Sequence, residues 1–317
     1  MKKIYITRKL PEAVLEDIRE EYEVAMWEEE EIPVPREELL EQAKTADALL
    51  TMLTDRVDQE LLDTAPRLKI VSNLAVGYDN IDVQACRRKD VVIANTPGVL
   101  TETTADLAFA LLMATARRLV EASNNVRNGQ WKSWSPMQMA GMDIYGKTIG
   151  IFGMGRIGEA VARRASGFGM KILYHNRKRK ESDTDFGATW VSKEDLLKSS
   201  DYVVMLTPYT KETHHFIAMD EFRQMKKTAV FINVSRGLTV NEADMYQALK
   251  DGEIWAAGLD VFEQEPIGQD HPLLTLPNVT VLPHIGSASI ATRTRMCEIA
   301  LLSIAEVLAG RRPLYEV

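Results

Sequence analysis

Thr148-Ile149-Gly150-Ile151-Phe152-Gly153-Met154-Gly155-Arg156-Ile157-Gly158 is the stretch on which the fold turns. Apolar residues run into a glycine pattern, and Glu159-Ala160-Val161-Ala162-Arg163-Arg164 continues at helical spacing. Strand, tight turn and helix follow in the order that a dinucleotide-binding unit requires. Gly153 allows the turn. Gly155 lets the backbone approach a pyrophosphate, and Gly158 lets the helix lie close to the strand. Arg156 and Ile157 open the helix, whose N–H groups and positive dipole end would face the phosphates. Ile157, Val161 and Ala165 repeat every four residues and give that helix a buried stripe. A bare GxGxxG also fits a plain glycine-rich turn. The strand before it, the helix after it and a second apolar run at Lys171-Ile172-Leu173-Tyr174-His175 favour the dinucleotide.

Working outward, residues 1–98 alternate strand patterns (4–7, 24–27, 48–51, 70–72, 91–94) with helical ones (11–21, 36–43, 58–65, 82–88). Alternation of this kind predicts a parallel sheet covered on both faces. Beyond the turn Thr96-Pro97-Gly98, a single helix is expected over 102–124, apolar nearly all round in its first half and therefore buried. The segment 131–141 is irregular and rich in Trp and Met, as expected of a surface that packs on a partner subunit or over a cleft. A second alternation, with six strands at 147–152, 171–175, 202–206, 229–233, 256–260 and 279–282, makes a doubly wound α/β domain. A last helix over 288–308 belongs to neither alternation and could return to the first domain.

The 317 residues suffice for two domains, and 45% hydrophobic with 26% charged residues describes a soluble globular chain. The net charge of −8 argues against nucleic acid as partner. No run reaches membrane-spanning length, and Arg8 and Lys9 end any resemblance to a signal peptide. Cys86 and Cys297 read as ordinary buried or semi-buried thiols of a cytoplasmic protein, and no Cys/His spacing suggests a metal.

The place for an acidic residue that would hold a ribose 2′-hydroxyl lies about 20 residues past the fingerprint. It reads His175-Asn176-Arg177-Lys178, with no carboxylate. Arginine binds a 2′-phosphate bidentately and stacks on adenine. NADPH is therefore expected over NADH, with Asn176, Arg177 and Lys178 as contacts; a solvated basic turn is the alternative. Arg236, Glu265 and His284 each follow a later strand. Together they suit carbonyl reduction. The carbonyl oxygen needs a proton that a histidinium can give, a carboxylate keeps the histidine protonated, and an arginine clamps a substrate carboxylate. The loop Met52-Leu53-Thr54-Asp55-Arg56 follows a strand, which makes Leu53 a candidate substrate contact. The turn Asn73-Leu74-Ala75-Val76-Gly77 could hold an anion on its amides, though read alone it is a plain turn.

These motifs, in this order, resemble the D-isomer-specific 2-hydroxyacid dehydrogenase family. The resemblance rests on Val76-Gly77-Tyr78-Asp79-Asn80, the 105–112 run, the Gly153–Gly158 fingerprint, Asn233-Val234-Ser235-Arg236-Gly237, Gly258-Leu259-Asp260-Val261-Phe262 and Pro283-His284-Ile285-Gly286-Ser287. It spans essentially the whole chain. The nearest branch is that of the glyoxylate/hydroxypyruvate reductases, including enzymes that reduce 2-ketogluconate. Leu173-Tyr174-His175-Asn176-Arg177 is similar to its NADPH-preferring members. The resemblance implies a dinucleotide-binding domain over 99–287 and a smaller, discontinuous, flavodoxin-like substrate domain over 1–98 and 288–317. It implies His284 as general acid/base with Glu265 as its partner, Arg236 on the substrate, and the Val76 and Gly77 amides on the substrate carboxylate. Asp260 would meet the nicotinamide carboxamide and Thr104 the nicotinamide ring. Leu206, Thr207 and Pro208 would lie near the adenosine, and Val234 and Gly286 would add cofactor contacts. A homodimer is implied too. Formate dehydrogenases of this family carry glutamine where this chain has Glu265, which favours hydroxy-acid chemistry. Gln138 replaces a tryptophan of some glyoxylate reductases and leaves room for a larger substrate. The alternatives are an NAD-linked D-lactate or phosphoglycerate dehydrogenase and, from another class, a dinucleotide-sensing regulator.

Overall fold

The computed structural model describes residues 1–180 and 187–317. The chain divides into two compact units, Met1–Leu100 with Ser287–Val317, and Thr101–Gly286.

In the first unit, β1 (Lys3–Ile6), β2 (Glu23–Met26), β3 (Ala48–Thr51), β4 (Ile70–Asn73) and β5 (Val92–Ala94) form a wholly parallel sheet in the order β2-β1-β3-β4-β5. This is the flavodoxin-like order. β3 and β4 are buried along their whole length, so they read as apolar runs without alternation, as strands covered on both faces do. One face is covered by helices Arg36–Ala43, Gln59–Thr64 and Val83–Arg88 through Leu39, Leu61, Leu62, Ala85 and Cys86. On the opposite face lies helix Ile290–Leu308, whose Cys297, Ala300, Leu301 and Ile304 meet Ile4, Ile6, Leu50 and Ile70. The last helix thus does return to the first sheet. Ser289 caps it by accepting from the Thr292 amide at 3.1 Å, and Gly310 at φ +80° ends it. Burial pushes both cysteine thiols up to about 11, so each stays a neutral apolar filler near neutral pH. The helical pattern at 11–21 resolves into a 3-10 turn, Glu12–Val14, and a short helix, Glu16–Glu21.

The second unit holds β6 (Thr148–Phe152), β7 (Lys171–His175), β8 (Thr189–Trp190), β9 (Tyr202–Met205), β10 (Val230–Asn233), β11 (Ala256–Leu259) and β12 (Val279–Val281). Their order, β12-β11-β10-β9-β6-β7-β8, is again all parallel. Counted from β6 it is the 3-2-1-4-5-6 arrangement of the dinucleotide fold with one further strand. It reverses direction between β6 and β9, where such folds bind ligands. Six strands were expected in this region, and seven are present among the described residues. β8 went unread because two residues, both exposed, carry no apolar pattern.

The single helix expected over 102–124 is two helices, Thr101–Ala116 and Leu119–Arg127. Arg118 lies between them at φ +54°. No Gly or Pro marks the break. Its partner comes from far along the chain: the Met142 amide donates to the Ala116 carbonyl at 2.8 Å, and Gly141 passes too close to that oxygen for any side chain. The first helix is largely buried against β10, β11 and helix Arg156–Gly167. The second has no buried residue. Among the described residues no helix is long and apolar enough to cross a membrane.

Candidate active site

The fingerprint glycines differ in what surrounds them. Gly153 has φ +98°, and a Cβ there would stand 2.8 Å from the Leu206 carbonyl carbon. A Cβ on Gly158 would stand 2.3 Å from the Gly153 carbonyl oxygen. Those two positions close the turn and seat the helix. Around Gly155, by contrast, the space is open. Gly155 also N-caps helix Arg156–Gly167 without offering a side-chain acceptor. A helix start with uncapped amides and room for a group to approach the backbone fits a pyrophosphate.

Asn176, one residue past β7, is turned back onto this loop. Its Oδ1 accepts from the Met154 amide at 2.8 Å, and the Gly153 amide donates to the His175 carbonyl at 3.1 Å. Arg177 and Lys178 follow and are exposed. On the other side, the Leu206 amide donates to the Phe152 carbonyl at 2.8 Å, which lays Leu206 and Thr207 beside the glycine loop, with Pro208 next in sequence. Val234 lies further along this edge, with its amide on the Met205 carbonyl at 3.4 Å.

Asp260, Thr104 and Gly286 share one spot. A Cβ on Gly286 would sit 3.4 Å from both Asp260 Oδ2 and Thr104 Cγ2. Asp260 is buried, and its Oδ1 accepts from the Ile285 amide at 2.8 Å. Burial pushes its carboxyl up from the ordinary value, against the Ile285 and Gly286 amides and nearby His284.

Arg236, Glu265 and His284 follow three adjacent strands, β10, β11 and β12. Asn233, the last residue of β10, donates from Nδ2 to the Arg236 carbonyl at 3.0 Å, and Thr239 Oγ1 donates to the same oxygen at 2.6 Å. Gly237 is pressed against the backbone of Phe262 and Glu263; a Cβ there would stand 1.8 Å from the Phe262 carbonyl carbon. This contact brings the arginine loop against the loop that carries Glu265. Glu265 Oε1 accepts from the Phe262 amide at 3.0 Å, and its Oε2 meets His284 Nδ1 at 2.6 Å. Burial disfavours the Glu265 charge, but the His284 hydrogen bond and charge, the Phe262 amide and Arg236 outweigh it and hold the carboxyl below its ordinary value. Glu265 is thus an anion at neutral pH. His284 itself is held at φ +54°, a left-handed conformation that costs a non-glycine residue free energy and recurs at active sites. With Nδ1 committed to Glu265, Nε2 is the ring nitrogen left for proton transfer.

Leu53, Val76 and Gly77 lie in the first unit. There Asn73 Nδ2 donates to the Gly77 carbonyl at 2.9 Å, and Asn80 Nδ2 donates to the Met52 and Asp55 carbonyls at 3.1 and 2.8 Å. The two loops are thereby tied together. Sequence reading quoted Asn73, Asn80 and Asn233 within motifs without giving them a role, and did not name Thr239. The available signal was an asparagine closing an apolar strand, twice: Ile70-Val71-Ser72-Asn73 and Val230-Phe231-Ile232-Asn233.

Glu265→Gln tests the pairing. Glutamine keeps an acceptor for Nδ1 and loses the negative charge that attracts an imidazolium. The kcat/KM for carbonyl reduction at neutral pH is expected to fall by about tenfold or more, with the KM for NADPH within about twofold of wild type. An unchanged kcat/KM would rule out the electrostatic role of Glu265.

Residues 109–286 match the model for the D-isomer-specific 2-hydroxyacid dehydrogenase NAD-binding domain. The chain is 50% identical over 313 residues to a glyoxylate reductase of Korarchaeum cryptofilum, covering 98% of this chain and 94% of that one. It is equally 50% identical to a glyoxylate reductase of Thermococcus kodakarensis, at the same coverage. The crystal structure of an NADPH-dependent glyoxylate/hydroxypyruvate reductase from Sinorhizobium meliloti, in complex with NADP and malonate, superposes with a TM-score of 0.86 at 34% identity. It covers 100% of this chain and 96% of that one. The open cradle at Gly155, the paired His284 and Glu265 and these similarities agree: the chain belongs to the D-isomer-specific 2-hydroxyacid dehydrogenase family, in its glyoxylate reductase branch, and is an oxidoreductase.

Proposed function

We propose that the protein reduces small 2-keto acids to D-2-hydroxy acids with NADPH. Glyoxylate and hydroxypyruvate are the first substrates to consider, and 2-ketogluconate is a larger one. The observation that carries the reading is the 2.6 Å contact between His284 Nδ1 and Glu265 Oε2. The dinucleotide, when bound, supplies the hydride. His284 donates the proton from Nε2 to the carbonyl oxygen, and Glu265 stabilises the imidazolium beforehand. Arg236 clamps the substrate carboxylate and polarises the carbonyl. The amides of Val76 and Gly77 are proposed contacts for that carboxylate, and Leu53 for the rest of the substrate. Asp260 and Thr104 are proposed neighbours of the nicotinamide. Arg156, Ile157 and Gly158 are proposed to take the pyrophosphate, and Leu206, Thr207 and Pro208 the adenosine, with Val234 and Gly286 as further contacts.

The NADPH preference is supported by Asn176, which occupies the acidic position with a neutral amide, and by exposed Arg177 and Lys178. The double variant Asn176→Asp/Arg177→Ala tests it. A carboxylate at 176 can still accept from the Met154 amide, so the glycine loop keeps its brace. The NADPH/NADH ratio of kcat/KM is expected to fall by at least about tenfold, since a charged hydrogen-bonding partner is lost and a like charge gained. An unchanged ratio would refute the assignment. We also propose a cytoplasmic homodimer. Leu119, Val120, Val126, Trp131, Trp134 and Met137 are exposed apolar side chains within one segment, more than an isolated subunit ordinarily shows to water.

A substrate panel tests the whole reading. Glyoxylate, hydroxypyruvate, pyruvate and 2-ketogluconate are assayed with NADPH and with NADH. Fastest turnover of glyoxylate or hydroxypyruvate with NADPH is expected. Preference for pyruvate with NADH would favour an NAD-linked D-lactate dehydrogenase.

A further inference from the structure

The basic turn after β7 is fastened at both ends, at its start by a residue that sequence reading did not connect with the cofactor. At its start, Trp190 Nε1 donates to the Asn176 carbonyl at 3.1 Å. Trp190 belongs to the two-residue strand β8, so its indole reaches the end of β7 from the neighbouring strand. The ring is itself oriented. It stacks on the His175 imidazole, with centroids 6.1 Å apart and 26° between planes, while Phe152 meets the imidazole edge-on at 6.1 Å. The His175 ring is held in turn by Nδ1, which donates to the Val191 carbonyl at 2.8 Å. Asn176 is therefore held twice, by its carbonyl to Trp190 and by its Oδ1 to the glycine loop. At the far end, the Lys180 amide donates to the hydroxyl of buried Tyr174 at 3.0 Å, and the Lys180 ammonium pairs with Glu159. That pairing balances the Lys180 charge, and Arg177, Lys178 and Arg179 are the exposed cations between the two fastened ends, with Arg177 and Lys178 nearest the Asn176 anchor.

We propose that Trp190 is a positioning residue for selectivity towards the 2′-phosphate of the dinucleotide. It acts through the Asn176 carbonyl, which sets where Arg177 and Lys178 leave the sheet. The inference rests on the NADPH reading above and adds the residue that presets the turn. Long cationic side chains lose much freedom when they bind an anion, and a backbone already in place reduces that loss. The indole N–H points at the carbonyl that begins the turn, and β8 makes no pairing except with β7 among the described residues.

The test uses Trp190→Phe, which keeps an aromatic ring beside His175 and removes the single donor. Adenosine 2′-monophosphate and adenosine 5′-monophosphate serve as probes, read as competitive inhibition constants against the dinucleotide in the full-length enzyme. Wild type is expected to bind the 2′-phosphate form more tightly. In Trp190→Phe that constant is expected to weaken by about fivefold, the scale of one hydrogen bond, while the 5′-monophosphate constant and the KM for NADH stay within about twofold. Tyr174→Phe frees the other end and should act in the same direction. An unchanged 2′-monophosphate constant in both variants overturns the positioning role alone. Equal weakening of both probes overturns it too, by making the indole a general adenosine support. A wild-type enzyme with no preference between the probes overturns the NADPH reading and the inference with it.

Discussion

Replacing His284 with alanine is expected to lower kcat for keto-acid reduction by about a thousandfold, the middle of the range for a lost general acid. NADPH affinity is expected to stay within about twofold. The two outcomes separate because His284 follows β12, whereas the dinucleotide cradle is built at Gly153, Gly155 and Asn176 after β6 and β7. The substitution also leaves Glu265 without its partner. Burial then opposes an anion that has lost the hydrogen bond and the charge that held its carboxyl low. Small amines such as imidazole, added to the variant, would be drawn to that carboxylate. Single-turnover kinetics with NADPH in excess, alongside fluorescence titration of NADPH, measure both quantities. A variant that keeps a tenth of wild-type kcat would remove His284 from the proton step.

Arg236→Lys is the second large effect. Lysine keeps the charge and loses the planar fork, so a two-point grip on a carboxylate becomes a one-point contact. Loss of a hydrogen bond to a charged group costs about 1.5–3 kcal/mol, which corresponds to a rise of about ten- to hundredfold in KM for glyoxylate. Arg236 also helps to hold Glu265 ionised, but the His284 hydrogen bond and charge act more strongly, and lysine retains the positive charge. The pH profile should therefore keep its shape while KM rises. Steady-state kinetics across pH measure the two together. A KM within twofold of wild type would mean that the substrate carboxylate is held elsewhere.

The parts of this fold that a reader of the residues can see are the local ones. Gly153, Gly155 and Gly158 announce strand, turn and helix within eleven residues, and apolar runs such as Tyr202–Met205 announce buried parallel strands. Arg236, Glu265 and His284 stand out because polar residues that close successive strands share an edge of the sheet. What escapes notice depends on atoms distant in sequence. The helix break at Arg118 is completed by Met142, twenty-odd residues later. β8 is completed by the edge that Leu173 and Tyr174 offer; Thr189 and Trp190 suit a strand, but two exposed residues are too short a run to announce one. The site shows the same division. Residue types suggested an acid, a base and a cation, whereas the 2.6 Å contact that commits Nδ1 and leaves Nε2 is tertiary. Asn176 was read as the absence of a carboxylate, and its brace on Met154 had no local signature.

Asn233 reaches the carbonyl oxygen of residue 236, and Asn73 reaches that of residue 77. A carbonyl is common to every amino acid. The loops are thus anchored through an atom that no substitution at 236 or 77 can delete, while the side chains they display stay open to exchange. Such a chassis tolerates experiments at its working positions. New substrates can be sought by changing what the loops present, without re-solving how the loops are held, and the two asparagines are the positions that a designer should leave alone.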